Sequence, residues 1–175
     1  MNLQLYKSTI KSNKQIAITG SKSESNRLLL LQALYPSVNI ENLSNSDDSQ
    51  LMQKALTSTD KIIDIHHAGT AMRFLTAFYS TQTNREVELT GSKRMKERPI
   101  AILVDALRQI GADISYKENE GFPPLIIKGK QLTGNKVTLK ANVSSQYISA
   151  LLLIAPKLEN ELELTLEGTI TSMPY

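Results

Sequence analysis

Cysteine is absent from the 175 residues, which excludes disulfides, thiolate metal sites and a cysteine nucleophile and leaves any chemistry to other side chains. No apolar run approaches the roughly eighteen residues of a membrane span. Met1-Asn2-Leu3-Gln4-Leu5 also lacks the charged-then-apolar plan of a signal peptide, so a soluble, cytoplasmic protein is expected. Charge of one sign is in short supply as well. Lys+Arg 20 against Asp+Glu 17 leaves a formal +3, too little for a nucleic-acid coat and better suited to small anionic ligands. There is no glycine-rich dinucleotide fingerprint and no P-loop, since Gly20-Ser21-Lys22-Ser23 lacks the upstream glycine and spacer that cradle a nucleotide triphosphate. His66 and His67 are adjacent, would point to opposite faces of a strand, and have no cysteine or carboxylate cluster beside them, so no metal is expected. What the chain does have is an apolar fraction of 41%, enough for a folded core.

From Lys14 onward, short β-branched or apolar runs alternate with longer stretches at helical spacing, the pattern of an α/β protein. Strands are expected at Gln15–Thr19, Val38–Leu43 and Lys61–Ile65, and helices at Ser23–Leu34 and Ser46–Leu56. Asp47 and Asp48 fall in the first turn of that second helix, where exposed N–H groups and the macrodipole favour negative charge, so they read as structural. A helix over about Thr70–Tyr79, a strand at Glu86–Thr90 and a helix over Pro99–Ile110 follow. In the last of these Ile100, Leu103, Val104, Leu107 and Ile110 form one apolar stripe, with Pro99 suited to the first helical position and Gly111 to the stop. Ile114–Lys117 and Leu125–Lys128 read as a hairpin joined through turn formers. A third unit opens with a strand at Val137–Leu139, continues through a helix over Ser144–Ala155 ended by Pro156, and reaches a strand at Glu161–Glu167. It is incomplete at Tyr175, so the chain reads as roughly sixty-residue strand-helix repeats, two whole and one partial.

The first helix of each unit opens on a small, hydroxyl-rich or glycine-containing segment: Gly20-Ser21-Lys22-Ser23, Ala68-Gly69-Thr70 and Asn142-Val143-Ser144-Ser145. Helix N-termini gather unpaired N–H groups and positive partial charge, so three of them meeting at one cleft would hold a polyanion. Ser23 and Arg27, four apart, share a helix face, and Lys22 reaches the same space. Taken alone, Ser21 or Ser23 is equally well an N-cap and Arg27 a solvated charge. Lys93-Arg94-Met95-Lys96-Glu97-Arg98 is the densest basic segment; if extended it would place Arg94, Lys96 and Arg98 on one side. Such a comb suits carboxylate or phosphate, although a charge run on a loop is usually only solvated. Arg73 fits a ligand contact and a salt bridge equally well.

Together, Ser21-Lys22-Ser23-Glu24-Ser25-Asn26-Arg27, Ala68-Gly69-Thr70-Ala71-Met72-Arg73, Arg94-Met95-Lys96-Glu97-Arg98-Pro99 and Ser144-Ser145-Gln146 closely resemble the 3-phosphoshikimate 1-carboxyvinyltransferases, or EPSP synthases. The resemblance covers essentially the whole chain but only about the first two-fifths of a family member. It implies repeated βαβαββ units of the inside-out α/β barrel type, truncated here in the third. Residues 1–13 would be a leading strand belonging to the other globular half, and 14–175 an incomplete phosphoshikimate-binding domain. The implied reaction moves the enolpyruvyl group of phosphoenolpyruvate to the 5-hydroxyl of 3-phosphoshikimate and releases phosphate, in the shikimate pathway to aromatic amino acids. It uses no metal or organic cofactor. A cytoplasmic monomer is implied, with these two substrates as partners and neither nucleic acid nor membrane.

By motif, Lys22, Ser23, Arg27, Ser144, Ser145, Gln146, Ser172 and Tyr175 resemble phosphoshikimate contacts. Lys22, Gly69, Arg94 and Gln146 resemble phosphoenolpyruvate contacts. No catalytic residue is assignable, because the family's acid/base carboxylate, its catalytic lysine and further arginines would lie beyond Tyr175; the chain alone is expected to bind but not to turn over. Two departures stand out: His67 replaces the usual Asn before Ala-Gly-Thr, and Phe74 the usual Pro after Met-Arg. Phe74 restores a backbone N–H and is expected to reposition the Gly69-Thr70 turn and alter discrimination between phosphoenolpyruvate and the family inhibitor glyphosate. The alternatives are a non-catalytic anion-binding module and a UDP-N-acetylglucosamine enolpyruvyl transferase relative. The second family usually has a lysine-asparagine pair in its first block and often a reactive cysteine, neither present here. A repeat protein with no ligand site would leave the clustered cations and serines unexplained.

Overall fold

The computed structural model describes residues 3–9, 11–140, 142 and 144–169. The first two helices are α1 (Lys22–Leu34) and α2 (Asp47–Thr57). Their packing is fixed by burial of Leu29, Leu30, Leu34, Met52 and Ala55 and by a run of short polar side chains. Ser44 N donates to Ser25 Oγ at 2.9 Å, Ser46 N to Ser44 Oγ at 3.2 Å, and Ser49 Oγ to Asn26 Oδ1 at 2.9 Å. Ser46 caps α2 by accepting from Ser49 N at 3.4 Å, with Asp47 and Asp48 in the first turn as expected. Ser46→Ala should therefore lower stability by about 1 kcal/mol, read as a lower urea midpoint at unchanged slope.

The strands expected at 15–19 and 38–43 are not formed. Ile16 and Ile18 are both 81% exposed, and the two segments are joined by one backbone bond, Gly20 N to Asn42 O at 2.9 Å. Alternating apolar residues make a strand only where a neighbouring ladder takes up the backbone groups, and none lies beside them among the described residues. The first unit is thus not a complete repeat.

The main sheet is built by β1 (Ile62–Asp64), β2 (Glu86–Thr90), β3 (Asp113–Tyr116) and β4 (Leu125–Lys128), in the order β1-β2-β4-β3. The β1–β2 pair is parallel, and β4 runs antiparallel to both β2 and β3. Between β1 and β2 lies α3 (Gly69–Ser80), buried along nearly its whole length. A helix apolar on all sides belongs inside a protein, and this one packs against the sheet, α1, α2 and α6 (Ser145–Ile154). Its polar side chains turn back on the helix: Thr76 Oγ1 donates to Met72 O and Ser80 Oγ to Thr76 O, each at 2.7 Å.

Between β2 and β3 come a short helix, α4 (Lys93–Lys96), and α5 (Ala101–Gln109). The expected stripe Ile100, Leu103, Val104, Leu107 and Ile110 is at most 1% exposed. Gly111, with φ at 99°, ends the helix; its N–H meets Arg108 O at 2.9 Å and Ala112 N meets Leu107 O at 3.0 Å, a left-handed stop. Pro99 does not take the first helical position. Ile100 sits non-helically as N-cap, tied through its N–H to Gly121 O, so the helix starts at Ala101. The chain then forms β5 (Lys136–Lys140), α6, a 3-10 turn (Ala155–Lys157) that contains the expected terminator Pro156, and β6 (Glu163–Glu167), which pairs parallel with β5. No helix among the described residues is long and apolar enough to cross a membrane.

Candidate functional site

The starts of α1, α3 and α6 are brought together by side chains that cross between them. Arg27, one turn into α1, donates from Nη1 to Ser23 O at 2.8 Å and Ser23 Oγ at 2.7 Å, and from Nη2 to Ser149 Oγ of α6 at 3.2 Å. Gln146, in the first turn of α6, donates from Nε2 to Thr70 Oγ1 at the start of α3, at 3.3 Å. Ser144 caps α6 and Ser145 is its first residue; Lys22 is the first residue of α1. Ser25 and Asn26, from the same block as Ser23 and Arg27, are buried and face α2. Thus α1 divides its polar residues by face, the inward pair anchoring the helix and the outward ones left for the site.

The basic segment is helical rather than extended and lines a cleft beside the start of α3. Ser92 accepts from Met95 N and starts a turn of helix, because Met95 is buried as its apolar anchor. In a helical turn Arg94 and Arg98, four apart, lie on one side. They line an open cleft of about 450 Å³ with His67 and Met95. Lys96 leaves this group and pairs with Glu118 at 2.8 Å. Arg98 lies against the opening of α3: a Cβ at position 69 would sit 2.2 Å from Arg98 Nη1, so only glycine admits the guanidinium there. The N-terminus of α3 has no side-chain cap, and its first-turn N–H groups add positive character beside the arginine.

None of the cations named at the site forms an ion pair among the described residues. The ion pairs among the described residues use Lys96, Arg108, Lys117 and Lys136; Lys22, Arg27, Arg73, Arg94 and Arg98 take part in none of them. Of the two readings of Arg73, the salt bridge is not formed among the described residues. It is 6% exposed, donates to Gly69 O at 2.8 Å and lies 5.7 Å from the Tyr147 ring centroid, so it is a buried cation beneath the start of α3 with no carboxylate paired to it among the described residues. Burial, followed by the charges of Arg73 and Arg94, holds the Arg98 guanidinium below its ordinary value, with Tyr147 and Asp48 acting the other way. Gathered cations that form no ion pair are stabilised by a bound anion.

Residues 54–175 match the family described as EPSP synthase (3-phosphoshikimate 1-carboxyvinyltransferase). The chain belongs to the EPSP synthase family. A 3-phosphoshikimate 1-carboxyvinyltransferase of Bacteroides fragilis is 56% identical over 161 residues, covering 91% of this chain and 39% of the relative. One of Haemophilus influenzae is 45% identical over 189 residues, covering 91% and 44%. The chain therefore spans about two-fifths of the length of these curated relatives. The solved structure of EPSP synthase from Acinetobacter baumannii shares the fold, with a TM-score of 0.72 at 20% identity over 90% of this chain and 41% of that one.

In this EPSP synthase relative, the motif residue Ser23 is joined through Arg27 to Ser149 of α6 and Gln146 to Thr70 at the start of α3, while Arg94 lines a cleft with Arg98, which lies against Gly69. Ser172 and Tyr175 lie outside the described residues. Sequence reading missed Ser149, named Thr70 only as part of a helix opening, and grouped Arg98 with Lys96, which pairs elsewhere. Ser149 was reachable, being four residues after Ser145 on the same helix face; the contacts of Thr70 and Arg98 needed the third dimension. The two histidines also depart from expectation. They sit in a turn after β1, not on a strand, with ring centroids 4.7 Å apart and edge-on. His66 adopts φ 47° while its N–H is held by Asp64 Oδ1 at 2.7 Å. No third metal-ligating side chain joins them among the described residues.

Proposed function

We propose that the full-length protein transfers the enolpyruvyl group of phosphoenolpyruvate to the 5-hydroxyl of 3-phosphoshikimate, and that this chain carries most of the phosphoshikimate-binding surface. The observation that supports this most is the set of cations without carboxylate partners around the joined starts of α1, α3 and α6. In the reaction the 5-hydroxyl oxygen bonds to C2 of phosphoenolpyruvate and loses its proton while C3 gains one, giving a tetrahedral adduct with a methyl group. C3 then loses a proton as the C2–O bond to phosphate breaks, which restores the double bond and releases inorganic phosphate. Two phosphorylated carboxylic acids repel one another, so bringing them into reacting contact requires fixed cations and oriented N–H groups.

In this reading Lys22, Ser23, Arg27, Ser144, Ser145 and Gln146, with Ser172 and Tyr175, hold phosphoshikimate. Lys22, Gly69, Arg94 and Gln146 approach phosphoenolpyruvate, and the Arg98 guanidinium over Gly69 belongs with them. The fold is read as repeated βαβαββ units, with residues 1–13 contributing to another globular half and that half supplying the groups that move protons. The protein is read as a cytoplasmic monomer needing no cofactor. The 175-residue chain alone is then a binding module with negligible turnover.

Calorimetry on the full-length protein tests the assignment. Phosphoshikimate should bind at least about ten-fold more tightly than shikimate, the worth of a charge-assisted hydrogen bond or more, and the preference should shrink as salt rises. Equal affinity for the two ligands would remove the phosphate site.

A further inference from the structure

The Arg27 guanidinium is hydrogen-bonded to Ser23 and Ser149, and a third contact is made with an aromatic ring. Phe74 of α3 is fully buried, and Arg27 Cζ lies 5.5 Å from its ring centroid, within the range of a cation–π contact. The Gly69-Thr70 turn one helical turn earlier is engaged by Arg73, Arg98 and Gln146, whereas the Phe74 ring meets Arg27. We propose that Phe74 is a positioning residue for phosphoshikimate, acting through Arg27 and setting the plane of its guanidinium. This rests on the reading of Arg27 as a phosphoshikimate contact.

Three of the five N–H groups of Arg27 are used on Ser23 and Ser149. Those remaining are on Nε and Nη2, neighbouring nitrogens whose fork suits two oxygens of one ligand only if the plane is set. Hydroxyl partners rotate and hold an edge loosely; a flat buried ring restrains the face. An arginine ordered before the ligand arrives loses less freedom on binding. The family's usual proline offers no aromatic face, so the device belongs to sequences with an aromatic residue at this position.

The test is calorimetry and steady-state kinetics on the full-length protein. Phe74→Met keeps an apolar side chain of similar size that adapts to its surroundings but has no ring; Phe74→Leu serves as the second variant should Met perturb folding. Either should weaken phosphoshikimate binding about five-fold, with the KM for phosphoenolpyruvate within about two-fold. In an Arg27→Ala background the same change should have no further effect, as residues acting through one contact are not additive. An equal loss in that background, loss of affinity for both substrates together, or no loss in either variant would overturn the role of Phe74. Should Arg27→Ala itself leave phosphoshikimate binding unchanged, the site reading fails as well.

Discussion

Arg27→Ala in the full-length protein is expected to lower kcat/KM for phosphoshikimate about 100-fold. Two N–H groups of Arg27 remain after its bonds to Ser23 and Ser149. A hydrogen bond to a charged group contributes about 1.5–3 kcal/mol, so two together account for about 3 kcal/mol, or roughly two decades. Arg27→Lys should recover little, because an ammonium is a point charge that reproduces neither the fork nor its bond to Ser149. The loss of folding stability should stay near 1 kcal/mol, since Arg27 is only partly buried and its partners are hydroxyls and a carbonyl that water can serve. Steady-state kinetics beside a urea melt separates the two effects. An unchanged kcat/KM would take Arg27 out of the binding site.

Gly69→Ala should raise the KM for phosphoenolpyruvate about 30-fold, roughly the 2 kcal/mol of one displaced charge-assisted bond. The added methyl would sit 2.2 Å from Arg98 Nη1 and 2.9 Å from its Cζ, so one of the two must move. The mobile end of a long side chain moves more cheaply than a helix start, and Arg98 has no ion pair among the described residues to hold it. The fold should therefore be nearly indifferent, while the guanidinium leaves its place over the α3 terminus. Arg98→Ala should give a similar loss, and the double variant little more, because both changes remove the same contact. A drop of several degrees in Tm without a selective rise in KM would show instead that the helix start had yielded.

Local structure was legible wherever neighbours in the chain decide it. The strands at Glu86–Thr90 and Leu125–Lys128 appear with the expected bounds, and the helices ending in Leu34 and stopping at Gly111 follow from periodicity and terminating residues. Segments 15–19 and 38–43 have the same alternation as true strands, but a ladder depends on what lies beside it, which local pattern does not contain. The basic segment failed for a related reason. Whether Lys93–Arg98 is extended or helical is decided by Met95, which is buried, and the helical answer discards Lys96 and pairs Arg94 with Arg98.

Sequence alone determined the ingredients of the site: hydroxyls and glycine at three helix starts, cations within one turn of them, and the motif order shared with the EPSP synthase family. Only the tertiary structure decided which of these meet. Arg27 and Ser149 are separated by 122 residues and Gln146 and Thr70 by 76. Helical spacing states which side chains share a face but not which element will stand opposite it. That is settled when α3 is buried among α1, α6 and the sheet, since only then do Ser25 and Asn26 turn inward and Ser23 and Arg27 meet α6.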